Sequence, residues 1–522
     1  MNDSFRRGLA LLAAALAGAA GAAPSPGGTA TLVLQNEPPT LVALAHSHSA
    51  TLAVSAKVSE GLLKYDHELN PQPQLATAWQ VSPDGKTYTF SLRRGVRWHD
   101  GREFTSADVA HSIKLLKENH PRGRSTFAPV LRVRTPDAHT AVLELSQPAP
   151  YLLKAFVAAE APIVPKHLYE SGEVLANANG NAPIGTGPFR FKEWVRGSHI
   201  VYERNPDYWD KPKPYLERLV VRIIPDPAAR AIAFETGEVD IGYRTPVSPG
   251  DIPRLQAHPK LAFETKGNSY SYNVTRLEFN LRQPQLKELK VRQAIAHAIN
   301  REVVRDTVFY GYGQISFSPI APGLREFHDE RPTPYPFDIR AAERLLDEAG
   351  LKRGADGQRF NLALDYNPSD MHKRLADYVK LALGRVGIKV EIRAGDFSQY
   401  VKRIYTDQDY DLAINGTSNL FDPTVGSQRL YWSKNIKKGV PFSNGTFYAN
   451  PVVDKLLEDA AVELDRGKRA ALFKEFQRIV GVEVPDLNLL SPTYYTIHNR
   501  RLHAHSQTAE GVEANFAEVY IQ

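Results

Sequence analysis

Residues 79–113, WQVSPDGKTYTFSLRRGVRWHDGREFTSADVAHSI, leave the backbone few choices. Ser82-Pro83-Asp84-Gly85 predicts a turn, because proline presets φ and glycine accepts φ above zero. Tyr88, Phe90 and Leu92 then alternate with Thr87, Thr89 and Ser91, the period of a strand with one buried face. Asp100-Gly101 predicts a second turn. Thr105-x-x-Asp108 has the form of a capping box, and Val109, Ile113 and Leu116 share one face of the helix it opens. Turn, strand, turn and capped helix therefore follow in fixed order, and any fold adopted must bury one face of the strand and of the helix.

A chain of 522 residues exceeds the size at which a single core stops growing, so two or three domains are expected. Arg6-Arg7 precede an Ala/Leu-rich run over 8–23, and Ala20-Gly21-Ala22 has the small-x-small form of a cleavage site. The order of charge, apolar run and small residues predicts a cleavable signal peptide rather than a membrane span or a buried helix. The sequence contains no cysteine, which excludes disulfides, thiol nucleophiles, Cys-ligated zinc and a lipid anchor on a cysteine. Lys and Arg exceed Asp and Glu by 64 to 58, but the excess is dispersed, the pattern of a solvated surface rather than of a nucleic-acid partner.

Residues 29–35 read as an opening strand and 140–145 (TAVLEL) as another. Gly185-Thr186-Gly187-Pro188-Phe189 superficially resembles a phosphate loop, yet lacks the Gly-Lys-Ser/Thr ending, and Pro188 forbids the helix that must follow. A tight turn feeding the strand 189–194 is the better reading. Residues 223–243 give strand, helix and strand. A helix at VRQAIAHAINREVV buries Val291, Ile295, Ala298 and Ile299. Downstream, Asp338 caps a helix ending at Gly350, and Leu375, Val379, Leu383 and Val386 mark another, closed by Gly387 and followed by the strand 388–392. Residues 411–414 form a short buried strand, and two more helices fill 452–480. Strands alternating with helices predict a mixed α/β architecture.

Four segments, 58–65 (VSEGLLKY), 79–113, 181–209 (NAPIGTGPFRFKEWVRGSHIVYERNPDYW) and 223–243 (IIPDPAARAIAFETGEVDIGY), resemble the family 5 extracellular solute-binding proteins, the peptide and nickel receptors of ABC importers. The resemblance covers nearly the whole chain beyond the signal peptide. It implies an α/β, two-lobed periplasmic binding protein fold of three domains with a hinge-closing cleft. Residues 1–22 are then the signal peptide, 23–57 the first part of domain I, and 58–183 domain II. Residues 184–270 continue domain I, 271–490 form domain III, and 491–522 complete domain I. It also implies a monomeric periplasmic receptor without cofactor, whose partners are a peptide or other small solute and the permease of an importer with its ATPase.

Catalytic signatures are missing: no Gly-x-Ser-x-Gly elbow, no His-Glu-x-x-His, no Walker lysine. His503-x-His505 reads as surface. His46-x-His48 has the spacing of two metal ligands on one strand face, but no third ligand stands at an obvious spacing. The resemblance instead makes the loop His46, Ser47, His48 and Ser49 a place where ligand approaches. In the family an Asp three residues before an acidic-Pro pair holds the peptide amine, and extended ligand is bound through its main chain. The matching position is Asn419, which can hydrogen-bond an ammonium but brings no charge. Asp422, the acidic residue of the pair, is expected to cap the following turn. Aromatics cluster nearby, of which Phe421, Tyr431 and Trp432 are candidates for ligand contact, with Tyr272 and Asn273 opposite at the lobe crossing. Nickel transport is disfavoured, because no histidine lies between His372 and His498 where that branch places a ligand. Three functions follow for comparison: a peptide receptor, the same fold carrying an oligosaccharide, opine or other small polar solute, and an exported hydrolase or chaperone.

Overall fold

The computed structural model describes residues 24, 26–331 and 335–522; the expected signal peptide, 1–22, lies outside the described residues. Two large sheets organise the molecule. The first has seven strands in the order Leu261–Glu264, Thr496–Asn499, Ile241–Gly242, Thr29–Leu34, Arg218–Ile223, His199–Arg204 and Phe189–Val195. Thr29–Leu34 lies parallel to Arg218–Ile223 along its whole length. The second has six, in the order Gly313–Ile315, Asp486–Pro492, Tyr272–Phe279, Leu412–Leu420, Phe360–Tyr366 and Ile388–Arg393. The chain crosses between them twice, from Leu261–Glu264 to Tyr272–Phe279 and from Asp486–Pro492 back to Thr496–Asn499. The molecule is thus two-lobed, with two connecting segments as its hinge, the first of which includes a short helical turn at Lys266–Asn268.

A four-stranded antiparallel sheet, Ala76–Val81, Thr87–Leu92, Thr140–Leu145 and Val130–Asp137, extends the first lobe. Tyr88, Phe90 and Leu92 face its core, as the alternation requires. Gly85 takes φ +66° in the preceding turn. The helix Ser106–Asn119 opens with the expected capping box, Thr105 N–H donating to Asp108 Oδ2 at 2.8 Å, and buries Val109, Ile113 and Leu116. In the second lobe, Asp338 accepts from Ala341 N–H at the start of Ile339–Glu348. Gly387, at φ +82°, closes Asp370–Arg385 before Ile388–Arg393.

The recurring motifs of the first lobe meet at one buried carboxylate. Glu60 is fully buried and accepts from Tyr208 Oη (2.8 Å), Trp209 Nε1 (2.9 Å), Thr186 Oγ1 (3.0 Å), Gln74 Nε2 (3.2 Å) and Asn515 Nδ2 (3.3 Å). Burial raises its pKa even though these donors oppose the rise. Gly185 and Gly187 flank Thr186, and a Cβ on either would overlap the Val58 carbonyl oxygen. The GTGPF turn is therefore a close approach of two backbones, with Gly187 N–H donating to Val58 O at 2.8 Å.

Three expectations need correction. The short strand at 411–414 is the start of a longer one, Leu412–Leu420. The helix from Leu289 ends at Ala298, because Ile299 turns extended (φ −96°, ψ 115°) and Asn300 caps the next turn. His505, read as surface, is 8% exposed and lies with its ring centroid 4.0 Å from that of His498.

The lobes are closed. Phe421, fully buried, belongs to the second lobe but sits in the first lobe's core, its ring centroid 5.3 Å from Tyr270. Beside it Tyr270 Oη donates to Lys154 O at 2.8 Å. Among the described residues, no helix is long and apolar enough to cross a membrane.

Candidate functional site

A strand edge and a set of charges meet where the lobes close. Leu412–Leu420 pairs with Tyr272–Phe279 from end to end, but with Phe360–Tyr366 only through Ile414. Asn367 N–H donates to Ile414 O at 2.9 Å and ends that ladder. Among the described residues this edge has no strand partner from Asn415 onward, so its backbone donors and acceptors can take an extended ligand. His372, whose Nδ1 is 2.8 Å from Asn367 O, stands beside Gly416 at the start of the free edge. Burial holds this imidazole below its ordinary pKa.

Charged side chains converge from three directions. Arg122, in the loop after Ser106–Asn119, grips Glu160 through both Nε (2.8 Å) and Nη2. Glu160 is 5% exposed. Arg244 and Thr245 follow the strand Ile241–Gly242 with consecutive left-handed backbones, φ +54° and +55°, held by Thr245 N–H donating to Tyr495 O. That strained corner, uncommon for residues with a Cβ, aims Arg244 Nη2 to 3.2 Å from Glu513 Oε1. Burial raises the Glu513 pKa against the opposing pull of Arg244. Lys57, also fully buried, donates to Val512 O (2.6 Å) and Ala514 O and lies 3.9 Å from the Phe516 ring centroid. Its burial lowers the ammonium pKa to about 7, with Glu513 pulling the other way. Arg429, on the short helix Gln428–Tyr431 of the second lobe, is pushed down to about 10 by burial and then by Arg122. Glu160 pulls the other way on Arg429. Arg122 and Glu160 thus pair within the first lobe, while Arg429 stands on the second with its Nε donating to Gly426 O at 3.1 Å.

The residues named from sequence are dispersed around this centre. His46 and Ser47 are half-buried and His48 is exposed; burial lowers both imidazole pKa values. Ser49 starts the helix Ser49–Ser55, and its carbonyl accepts from Tyr243 Oη at 2.6 Å, beside Arg244. Tyr272 lines a cavity of about 750 Å³ bounded by both hinge connections, together with Lys154 and Phe327. Asn273 O accepts from Ser491 Oγ at 2.8 Å.

The second-lobe candidates are engaged within the protein. Asn419, 1% exposed, donates from Nδ2 to Pro319 O and Ser427 Oγ (both 3.0 Å) and accepts Ala321 N–H at 2.5 Å. Both amide protons are thereby used. Asp422 receives two bonds from Arg469 (2.8 and 2.6 Å) and, as expected, caps the turn at Thr424 N–H (2.9 Å). Burial pushes its pKa up, but Arg469, Lys154 and the Thr424 N–H together hold it below the ordinary carboxylate value. Phe421 crosses into the first lobe's core together with Leu420 and Val425. Tyr431 is buried, its hydroxyl donating to Asp486 (2.7 Å) and its ring against Phe476. Trp432 donates from Nε1 to Glu458 at 2.8 Å. Arg122, Glu160, Arg244, Arg429 and Glu513 were not legible as a group. They are scattered over the chain, and only Arg244, after the strand of GEVDIGY, lies near a motif. Among the described residues no group of three or more His, Asp or Glu side chains could hold a metal ion.

Residues 70–439 match the family described as bacterial extracellular solute-binding proteins, family 5. The di/tripeptide-binding protein 1 of Pseudomonas aeruginosa is 28% identical over 467 residues, covering 82% of this chain and 83% of its own. A putative ABC transporter peptide-binding protein of Brucella ovis is 30% identical over 444 residues, with 82% and 80% covered. In structure, the oligopeptide-binding protein AppA from Bacillus subtilis, solved with a nonapeptide, superposes with a TM-score of 0.81 at 24% identity, over 96% of this chain and 100% of its own.

Proposed function

Since this chain belongs to the family 5 bacterial extracellular solute-binding proteins, we propose that it captures peptides or peptide-like solutes between its lobes and delivers them to the permease of an ABC importer. The observation that carries this reading is the unpartnered edge of Leu412–Leu420 from Asn415 onward, inside the closed cleft. A peptide added there bonds through its main chain, so its side chains are free to vary. Di/tripeptide- and nonapeptide-binding relatives support the same cargo class. Their extracellular setting and the charge-then-apolar start of the sequence support an exported, periplasmic receptor rather than an enzyme. The sheets support a three-domain division, with the Thr29–Leu34 sheet as domain I, the four-stranded sheet as domain II and the Leu412–Leu420 sheet as domain III. Closure by rotation about the two crossings presents the loaded form to the permease.

The test is a panel of di- to nonapeptides titrated into the mature protein, read by thermal melting and small-angle scattering. Binding raises the melting temperature and contracts the molecule. A protein that ignores the whole panel yet co-purifies with an opine or oligosaccharide, seen by native mass spectrometry, overturns the peptide reading and keeps the fold.

A further inference from the structure

Glu510 is a buried carboxylate that its surroundings leave unanswered. It is 4% exposed, and among the described residues neither carboxylate oxygen has a hydrogen-bond partner and no cation lies within ion-pair distance. It lines a cavity of about 50 Å³ where the loop 504–519, between the paired strands Leu502–His503 and Tyr520–Ile521, folds back against Lys64 and Gln74. Two further buried oxygens on this lining, Thr508 Oγ1 and Glu513 Oε1, also lack a hydrogen-bond partner among the described residues. The neighbouring charges are already matched. Arg244 Nη2 stands 3.2 Å from Glu513 Oε1. Lys64 and Lys213 both reach Glu518 (3.5 and 3.2 Å), and Lys213 also pairs with Asp210 (3.1 Å). A carboxylate taken out of water without donors or a counter-ion is costly, so Glu510 needs a guest that brings positive charge.

We propose that this cavity binds a small monovalent cation, sodium or potassium, through the Glu510 carboxylate, Thr508 Oγ1 and Glu513 Oε1. The atoms offered are oxygens, the donor set of hard cations. Charge fixes the valence: with Glu513 offset by Arg244, Glu510 leaves a single negative charge to be met. The space exceeds the roughly 10–15 Å³ that one water-sized guest needs, so an ion fits with water beside it. Its role follows from its place. Gly511, the next residue, lies so close to the first hinge connection that a Cβ on it would overlap the Gly267 carbonyl. The turn Gly511–Glu513 then carries Glu513 to Arg244. An ion on Glu510 therefore fastens the returning chain at the root of the hinge. None of the residues of the free strand edge lines this cavity, and the inference holds whatever the cleft carries.

Melting of the cargo-free protein in sodium, potassium or N-methylglucamine chloride, at one ionic strength, tests this on the wild type, Glu510→Gln and Thr508→Val. At about pH 8.5 sodium or potassium raises the wild-type melting temperature by about 1–3 °C over N-methylglucamine, which is too large to enter, and the rise saturates with concentration. Near pH 6 the difference disappears. Burial raises the Glu510 pKa to about 7, against the pull of Thr508 and Lys64, so there a proton takes the cation's place. Lys57, with its pKa lowered to about 7, and His505, held neutral by burial with a pKa of about 3, add no dependence on which cation is present. Glu510→Gln melts alike in all three salts. Thr508→Val keeps the charge and needs about 3- to 10-fold more cation for half the effect, the range for one lost oxygen contact. A wild type that melts alike in all three salts at about pH 8.5 overturns the proposal and leaves the cavity to water or a proton. A Glu510→Gln protein that keeps the cation response overturns it as well. Should Glu510→Gln fail to fold, Thr508→Val decides, and an unchanged cation requirement there is the overturning result.

Discussion

Asn419 shows how one side chain can hold a ligand position in the sequence and a structural one in the fold. Its two amide protons go to Pro319 O and Ser427 Oγ, and its carbonyl oxygen takes the Ala321 N–H. An aspartate there keeps the acceptor but turns a second oxygen, bearing charge, onto the Pro319 carbonyl. Asn419→Asp is therefore expected to lose ~3 kcal/mol of stability in denaturant unfolding, the cost of a buried group set against its former partner. It should gain no preference for peptides with free amines over N-acetylated ones. Tighter binding of free amines at undiminished stability is the opposite outcome and makes Asn419 a ligand residue.

Among the elements, what the sequence made legible was whatever local chemistry decides. The turn at Gly85, the alternation of Tyr88, Phe90 and Leu92 and the capping box at Thr105 all form as read, since each depends on neighbours within a few residues. Leu412–Leu420 was read too short for a physical reason. Its buried face continues as Asn415, Thr417 and Asn419, exposed 0%, 2% and 1%, with Gly416 and Ser418 between them. A hydrophobic count stops at Ile414, because the buried residues between it and Leu420 are polar and, in Asn415 and Asn419, bonded to partners 137 and 100 positions away. The charged centre was hidden by the same distance, its arginines and glutamates joined only by topology. His505 looked like surface until the returning chain laid it against His498. At the GTGPF turn the sequence showed a turn but not its reason, the Val58 carbonyl against which the glycines lie. Gly185→Ala is expected to cost ~3 kcal/mol or more, because the obstacle is backbone and cannot rotate aside. Near-wild-type unfolding in urea overturns that account of the motif.

For the whole molecule, the decisive contact is Phe421, a second-lobe ring fully buried in the first-lobe core. It contributes to closure and to nothing within its own lobe's main core, so it biases the hinge without touching either large sheet's interior. Phe421→Ser is expected to leave the lobes folded but more open, giving a larger radius of gyration than the wild type without cargo. Peptide affinity falls with the closed fraction, about tenfold for each ~1.4 kcal/mol of closure energy removed. An unchanged radius and affinity would show that closure does not depend on this ring.

The first lobe is also tied together across almost the full length of the chain. Lys57 donates to Val512 and Ala514, and Glu60 accepts from Asn515, so groups 455 to 457 positions apart complete one another. A polypeptide made from its N terminus can satisfy neither the buried ammonium nor all the donors around the carboxylate until residues 512–515 have emerged. Throughout synthesis the early segments hold unmet polar groups that penalise premature compaction, and contacts of such long range form slowly. The first lobe thereby stays short of its final packing until residues 512–515 return to Lys57 and Glu60.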